Sequence, residues 1–454
     1  MGIVIKKKSA FKGLLLPENK ITAKKPAEIL SVPEKVTIPL QQSIGAQCEF
    51  IVKRGDTVKA GQKIADSASY VSAPIHASIS GKVSKIIKAV NPVTSAIMDA
   101  AVIESDGQDR WVELKKLFDI KKSDDFSGFK KIVDSIGKKE ILKKIREAGV
   151  VGLGGATFPT HVKLNPPPDK KIDTLILNGC ECEPFITSDH RIMLEYGRQV
   201  LAGLYIISRT VTPENIYIAI EDNKEDAIRY LEELIIKMGF SSIFKLVSLK
   251  SRYPMGAEKT LIKTITGRSV PVGGLPMDVG AIVNNVATAK SVYEAVIESR
   301  PLVDRMVTVT GAIKNPKNLL ARLGTTISCL IDRCGGVSSG TNYIIIIGGP
   351  MMGISIVDID FPVTKGTNCV LVKESKVQIE QNCINCGRCV DICPMNLMPL
   401  TYVRNIKRGN FEVCREYYIE NCIECGSCAY VCPANIPIVG YIKTCKSTIA
   451  KNKG

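Results

Sequence analysis

Cys383-Ile384-Asn385-Cys386-Gly387-Arg388-Cys389-Val390-Asp391-Ile392-Cys393-Pro394 returns further on as Cys422-Ile423-Glu424-Cys425-Gly426-Ser427-Cys428-Ala429-Tyr430-Val431-Cys432-Pro433. Each run spaces its cysteines C-x2-C-x2-C-x3-C-P, the spacing of thiolates that hold cuboidal iron–sulfur clusters. Short gaps let a curled backbone direct three sulfurs at one cube, while Gly387 and Gly426 relieve crowding and Pro394 and Pro433 end the turn. Disulfides or zinc are the competing uses of cysteine, and neither requires a duplicated run of four at this spacing. The two runs therefore predict a C-terminal domain with two 4Fe-4S clusters, and they make the chain an electron carrier.

Outward from these runs, composition narrows the setting. A chain of 454 residues predicts about three domains, and 45% hydrophobic content is ample for several cores. Sixteen cysteines, at least eight of them in the runs, suit a reducing cytoplasm where thiolates stay free for iron. The formal charge of +16 could serve nucleic acid, an anionic bilayer or an acidic redox protein. No nucleic-acid motif or aromatic–basic platform is present, which leaves a docking face or a solvated lysine-rich surface. Met1 to Lys8 is short and lysine-rich, and Phe11 to Leu16 is too brief for a signal peptide. The most apolar window, Tyr343 to Val357, is broken by Gly348-Gly349-Pro350 and falls short of the roughly 18 residues of a spanning helix. A soluble or peripheral protein with no transmembrane segment is expected.

Residues 1 to 30 are basic and weakly patterned, with Phe11 to Pro17 reading as an edge strand or a docking arm and nothing chemical standing out. From Val36 to Glu104, turns at Lys53-Arg54-Gly55-Asp56, Lys59-Ala60-Gly61-Gln62 and Ile79-Ser80-Gly81-Lys82 punctuate apolar Val58, Ile64, Val83 and Ile86. This resembles the barrel-sandwich fold of biotinyl and lipoyl carriers, but Asp66 to Ser72 lacks the modifiable lysine of a hairpin tip. A structural or docking unit follows, with His76 an ordinary loop residue. Residues 115 to 135 read as a linker, and Lys138 to Ala148 as a helix with Ile141, Leu142 and Ile145 on one face.

That helix runs into Gly149-Val150-Val151-Gly152-Leu153-Gly154-Gly155-Ala156-Thr157-Phe158-Pro159-Thr160, where clustered glycines let backbone amides approach a phosphate or a flat ring. The strand Ile172 to Leu177 then ends in Asn178-Gly179-Cys180-Glu181-Cys182-Glu183-Pro184, placing polar groups beyond a strand's carboxyl end, where α/β sheets bind ligands. Helical segments 190 to 208 and 224 to 238 flank another strand, Ile216 to Ile220, as a doubly wound domain requires. Cys180 and Cys182 read as small buried fillers, as do Cys329, Cys334 and Cys369; Cys414 and Cys445 stay free.

Gly152 to Lys163, Asn178 to Pro184, Tyr253-Pro254-Met255-Gly256-Ala257-Glu258-Lys259-Thr260 and Asn284-Asn285-Val286-Ala287-Thr288 occur in the order seen in the flavin-bearing, NADH-oxidising subunit of respiratory complex I. Val307 to Val357 resembles the soluble-ligand-binding β-grasp (SLBB) module that follows that flavin domain. With the barrel-sandwich start and the ferredoxin-like end, the chain as a whole resembles the RnfC family of Rnf electron-transport complexes over about residues 30 to 445. The resemblance implies an α/β multidomain protein: a barrel-sandwich module at 1–115, a Rossmann-like FMN/NADH domain at 130–300, the SLBB module at 305–357 and a two-cluster ferredoxin domain at 373–454. The ferredoxin likeness further implies that the fourth cysteine of each run crosses over. Cys383, Cys386, Cys389 and Cys432 would then hold one cube, and Cys422, Cys425, Cys428 and Cys393 the other.

By the same likeness, Gly152, Gly154 and Gly155 with Lys163 lie along FMN and the nucleotide. Asn178, Glu181 and Glu183 flank the isoalloxazine and nicotinamide, and Asn284, Asn285 and Thr288 hold the flavin's phosphate end. Tyr253, Gly256 and Glu258 belong to the same cofactor-binding set. Cys180 stands where complex I has an aspartate, so that contact does not transfer. No side chain is needed as acid, base or nucleophile. A nicotinamide releases two electrons together, a cube takes one, and a flavin can part the pair. The implied function is oxidation of NADH, or reduction of NAD, through FMN and two clusters to a partner, as in the ion-translocating complex on the cytoplasmic face of the membrane. The family's Gly-Gly-Ile-His type signature is replaced here by Phe11-Lys12-Gly13-Leu14-Leu15-Leu16-Pro17. A soluble donor to a reductase such as proline reductase thus stays open, as does a non-enzymatic adaptor with a vestigial flavin domain.

Overall fold

The computed structural model describes residues 4–90, 96–120, 126–338, 342–375 and 378–451. Its centre is a five-stranded parallel sheet in the order Val4–Lys7, Phe244–Leu249, Asn215–Glu221, Thr174–Gly179, Ala281–Asn285. The inner strands are nearly continuous apolar runs because helices cover both faces. On one face Gly197–Val211 packs against Val286–Ile297. The two backbones meet at Gly203, where a Cβ would lie 1.8 Å from the Ala289 carbonyl oxygen, so only glycine fits. Helix Glu258–Thr266 covers the other face.

From Thr174–Gly179 the chain steps outward to Asn215–Glu221 and Phe244–Leu249, then returns to the far side as Ala281–Asn285. The winding direction reverses between Thr174–Gly179 and Ala281–Asn285. In an open parallel sheet that reversal opens a crevice beyond the carboxyl ends of the two strands. Asn178 and Asn285 pair across it.

The barrel-sandwich module comprises the sheet Lys35–Pro39, Ile97–Ser105, Gly81–Val90, Thr57–Val58 and the smaller sheet Glu49–Phe50, Lys63–Asp66, Ile75–His76, around a core that includes Val36, Ile64, Val83 and Ile103. A third sheet runs Ile354–Ile356, Tyr343–Ile347, Cys369–Glu374, Asp304–Gly311, Lys317–Arg322, Glu28–Ile29. The C-terminal domain packs helices Pro399–Ile406, Phe411–Glu416 and Ile438–Lys451 beside the two cysteine runs. Trp111 bolts the modules together: the Arg300 and Arg322 guanidiniums lie 5.2 and 4.8 Å from its ring, and Arg322 pairs with Asp109 at 2.6 Å. Among the described residues no helix is long and apolar enough to cross a membrane.

Several expectations need correction. The N-terminal residues do not all belong to the first module, since Val4–Lys7 extends the central sheet and Glu28–Ile29 the third. The third sheet also reaches past residue 357, to Glu374. The stretch 115–135 contains a helix, Phe126–Ser135, whose Phe126, Phe129 and Val133 are buried; residues 121–125 lie outside the described set. Of the link at 373–381, residues 376–377 likewise lie outside it. His76 is not a loop residue but ends a short buried strand, and burial pulls its pKa down to about 3.

Candidate functional site

The two cysteine runs fold alike. Asn385 and Glu424, Gly387 and Gly426, and Asn396 and Asn435 form matched pairs with positive φ, and a short helix follows each glycine. Two recesses result, in which cysteines of both runs mix. One, of about 480 Å³, is lined by Cys383, Cys386, Cys389 and Cys432 with apolar Ile384, Leu400 and Val403. The other, of about 360 Å³, is lined by Cys393, Cys422, Cys425 and Cys428 with Leu397, Tyr402 and Ile442. Burial, and then neighbouring thiols of the same recess, raise the pKa of Cys389 in the first and of Cys393, Cys422 and Cys428 in the second. Four cysteines around an apolar hollow fit a cube. Cys383 and Cys386 are exposed, while Cys425 and Cys428 are buried.

At the sheet crevice, Gly152 N–H donates to Phe158 O at 2.8 Å and Thr157 N–H to Gly152 O at 3.1 Å, closing a tight loop. Gly154 and Gly155 stand exposed at its tip; a Cβ on Gly154 would touch Asn285, and one on Gly155 would meet nothing within 4 Å. Leu153 N–H donates to Thr288 Oγ1 at 2.8 Å, which ties the loop to the first turn of Val286–Ile297. Asn285 caps that helix, accepting from Ala287 N–H at 2.8 Å, and donates to Asp189 Oδ2 at 2.6 Å. Asn284 is 4% exposed, and its side-chain Nδ2 has no partner. A buried amide left unsatisfied is costly, so this atom fits a site that a ligand completes.

Asn178 Nδ2 donates to Gly256 O at 2.9 Å and its Oδ1 accepts from Cys180 N–H at 3.0 Å. Gly256 must be glycine, because a Cβ there would lie 2.3 Å from Cys180 O. Lys163 Nζ meets Glu258 Oε1 at 2.6 Å on the rim. The Glu181 carboxylate accepts from Asp189 N–H at 2.8 Å and Ser188 Oγ at 3.2 Å, so it caps helix Ser188–Glu195. Glu183 turns toward the third sheet and accepts from Met351 and Met352 N–H at 3.1 and 2.9 Å. The sequence-based set is therefore gathered at one crevice, but two of its carboxylates already hold backbone donors.

Burial raises the pKa of Glu183 to about 7, against the donors from Met351, Met352 and Tyr253. A carboxyl whose folded pKa is raised adds stability that is full below its unfolded value of about 4.5 and is lost as pH rises through about 7. Thermal melts of wild type and Glu183→Gln across this range should show the wild type losing on the order of 3 kcal/mol relative to the variant as pH rises. A constant difference between the two would refute the assignment.

Three contributors carried no sequence signal. Arg305, buried in the strand Asp304–Gly311, donates to Leu153 O and, at 3.2 Å, to Thr367 O, and burial draws its pKa down to about 10. Asp189 is raised to about 7 by burial and then by Glu181. Lys20 donates from the N-terminal arm to carbonyls of the 181–186 segment. A fourth feature joins the two sites: the Tyr253 hydroxyl donates to Cys425 O at 2.6 Å and lies 3.4 Å from Glu183 Oε1. Leu14, Tyr253, Ile392 and Cys425 form one apolar cluster, with Cys182 and Met351 packed against it.

Comparison with known proteins gives four family matches in chain order: the RnfC barrel sandwich hybrid domain at residues 8–108, the Nuo51 FMN-binding domain at 145–294, the SLBB domain at 306–355 and the 4Fe-4S dicluster domain at 382–436. A subunit of the proton-translocating ferredoxin:NAD(+) oxidoreductase complex of Clostridium ljungdahlii is 47% identical over 399 residues, covering 86% of this chain and 83% of that one. The corresponding subunit of the Na(+)-translocating ferredoxin:NAD(+) oxidoreductase complex of Acetobacterium woodii is 42% identical over 414 residues, covering 90% of each. A solved NAD+-reducing NiFe hydrogenase in its H2-reduced state shares the fold at a TM-score of 0.50 and 17% identity, spanning 73% of this chain and 64% of the hydrogenase chain.

Proposed function

The chain belongs to the RnfC family, and from that membership we propose that it is the NADH-oxidising, or NAD-reducing, electron-transfer subunit of an Rnf-type ion-translocating complex. In this reading FMN and NAD(H) bind at the sheet crevice, and the two cysteine recesses take 4Fe-4S clusters. A bound flavin supplies the exchange between two-electron and one-electron transfer, and the clusters carry single electrons onward.

The chain's own part is placement. The amides of Gly154 and Gly155 and the capped start of Val286–Ile297 offer a positive field to a phosphate, with Asn284, Asn285 and Thr288 at that end. Lys163 would lie with the glycine loop along FMN and the nucleotide, Asn178, Glu181 and Glu183 would flank the isoalloxazine and nicotinamide, and Tyr253, Gly256 and Glu258 would complete the cofactor-binding set. The observation that carries the reading is the Tyr253–Cys425 hydrogen bond, which sets the crevice directly against the buried recess of Cys393, Cys422, Cys425 and Cys428. The other recess ends in exposed Cys383 and Cys386 beside the exposed Ile384, so electrons would leave there to a neighbouring protein of the complex. The chain itself would sit peripherally on the cytoplasmic face of the membrane.

Titrating FMN into the full chain should quench flavin fluorescence at one FMN per chain; no quenching would retire this reading in favour of a two-cluster adaptor. Asn284→Leu sharpens the test. Removing the orphaned amide should leave the flavin-free chain as stable as wild type or stabilise it by about 1 kcal/mol, while weakening FMN binding about tenfold or more. Equal FMN affinity in the variant would count against the site.

A further inference from the structure

The segment that carries Glu181, Cys182 and Glu183 is held from outside its own domain by the N-terminal arm. At one end Leu14 and Tyr253 exchange backbone hydrogen bonds of 2.8 and 2.9 Å, and Phe185 N–H donates to Glu18 O at 2.8 Å. At the other, Thr22 Oγ1 lies 2.6 Å from Thr187 Oγ1, and Asn318 Nδ2 donates to Thr22 O at 3.2 Å. Between these anchors Lys20 turns inward. Its Nζ donates to the carbonyl oxygens of Glu181 at 2.9 Å, Glu183 at 3.1 Å and Ile186 at 2.6 Å.

Three converging carbonyls are the kind of donor set that would otherwise take a small monovalent cation, and here the chain brings the cation on its own tether. The ammonium is deep: burial and then Lys224 lower its pKa, while Glu181, Glu221 and Cys182 oppose. All three bonds go to the backbone, so they leave the Glu181 and Glu183 carboxylates free to make theirs.

We propose that Lys20 is a positioning residue for the nicotinamide side of the crevice, its ammonium fixing the 181–186 backbone and thereby the stance of Glu181, Cys182 and Glu183 toward a bound dinucleotide. The inference rests on the reading of this crevice as the NAD(H) site. Charge-assisted bonds to three carbonyls of one short segment remove its freedom to shift. A segment that binds the dinucleotide without touching the reacting atoms shows its loosening in KM more than in kcat.

The test uses the full chain loaded with its cofactors, ferricyanide as acceptor, and Lys20→Met and Lys20→Ala. In Lys20→Met the KM for NADH should rise about tenfold or more while kcat falls less than about threefold. In the flavin-free chain, amide exchange across residues 182–190 should quicken. Ammonium chloride should fill the carbonyl triad of Lys20→Ala and restore both readouts, and tetramethylammonium chloride at equal ionic strength should not. Unchanged KM and exchange in both variants would overturn the proposal. So would failure of ammonium to rescue Lys20→Ala, which decides the matter if Lys20→Met does not fold. A wild type that oxidises no NADH would instead overturn the reading of the site itself.

Discussion

Cys432→Ala is expected to abolish the cluster of the other run. Cys432 lines the recess of Cys383, Cys386 and Cys389, although it belongs to the later motif. Its loss should therefore cut iron from about eight to about four atoms per chain and leave the cube of Cys393, Cys422, Cys425 and Cys428 in place. The surviving cube is the one against Tyr253, so NADH should still reduce it while delivery to an external acceptor fails. Cys393→Ala should lose the other cube and isolate the crevice from the remaining one. Iron and sulfide analysis with low-temperature paramagnetic resonance on the anaerobically prepared variants checks both. If Cys432→Ala instead destroyed the cluster of its own run, the crossing would be wrong.

Arg305→Met should be the most damaging single change outside the cysteines. The guanidinium is buried, holds Leu153 O at the root of the glycine loop, and is the cation facing Asp189 and Glu181. Leaving two buried carbonyls without that donor costs on the order of 1–3 kcal/mol each. Thermal melts should register that loss, and FMN affinity should fall about a hundredfold as the loop slackens. Adding Asp189→Asn removes the carboxyl that faced the guanidinium while keeping an oxygen for Asn285 Nδ2 to donate to. The double variant should recover much of the stability, and additive losses would show that the two groups are not coupled.

The parts of this protein that were legible in its sequence are those whose chemistry is local. Three thiolates on one cube require close spacing, so both runs could be read residue by residue, and cysteines of both runs line each recess. The glycine loop was visible because a helix runs into clustered glycines, and the cluster at Asn178 because an apolar strand stops there. What escaped was set by tertiary context. Val4–Lys7 is a four-residue strand with no pattern of its own, and it forms only because Phe244–Leu249 offers an edge. Phe126–Ser135 does carry an amphipathic spacing, but the lysines and aspartates around it read as a linker. Lys20 and Arg305 are single basic residues whose partners lie more than sixty positions away in the chain. Glu183 was legible as a site residue, yet the Met351–Met352 amides that hold it belong to another module.

Electron passage from a pyridine nucleotide at the sheet crevice to the cysteine recesses is the claim on which the rest depends. The direct measurement is an anaerobic titration of the full chain, reconstituted with iron, sulfide and FMN, with NADH, followed by the visible absorbance of its clusters. NADH should bleach the cluster absorbance only when FMN is bound. A chain with its full iron content whose clusters stay oxidised under excess NADH, FMN present, would contradict it.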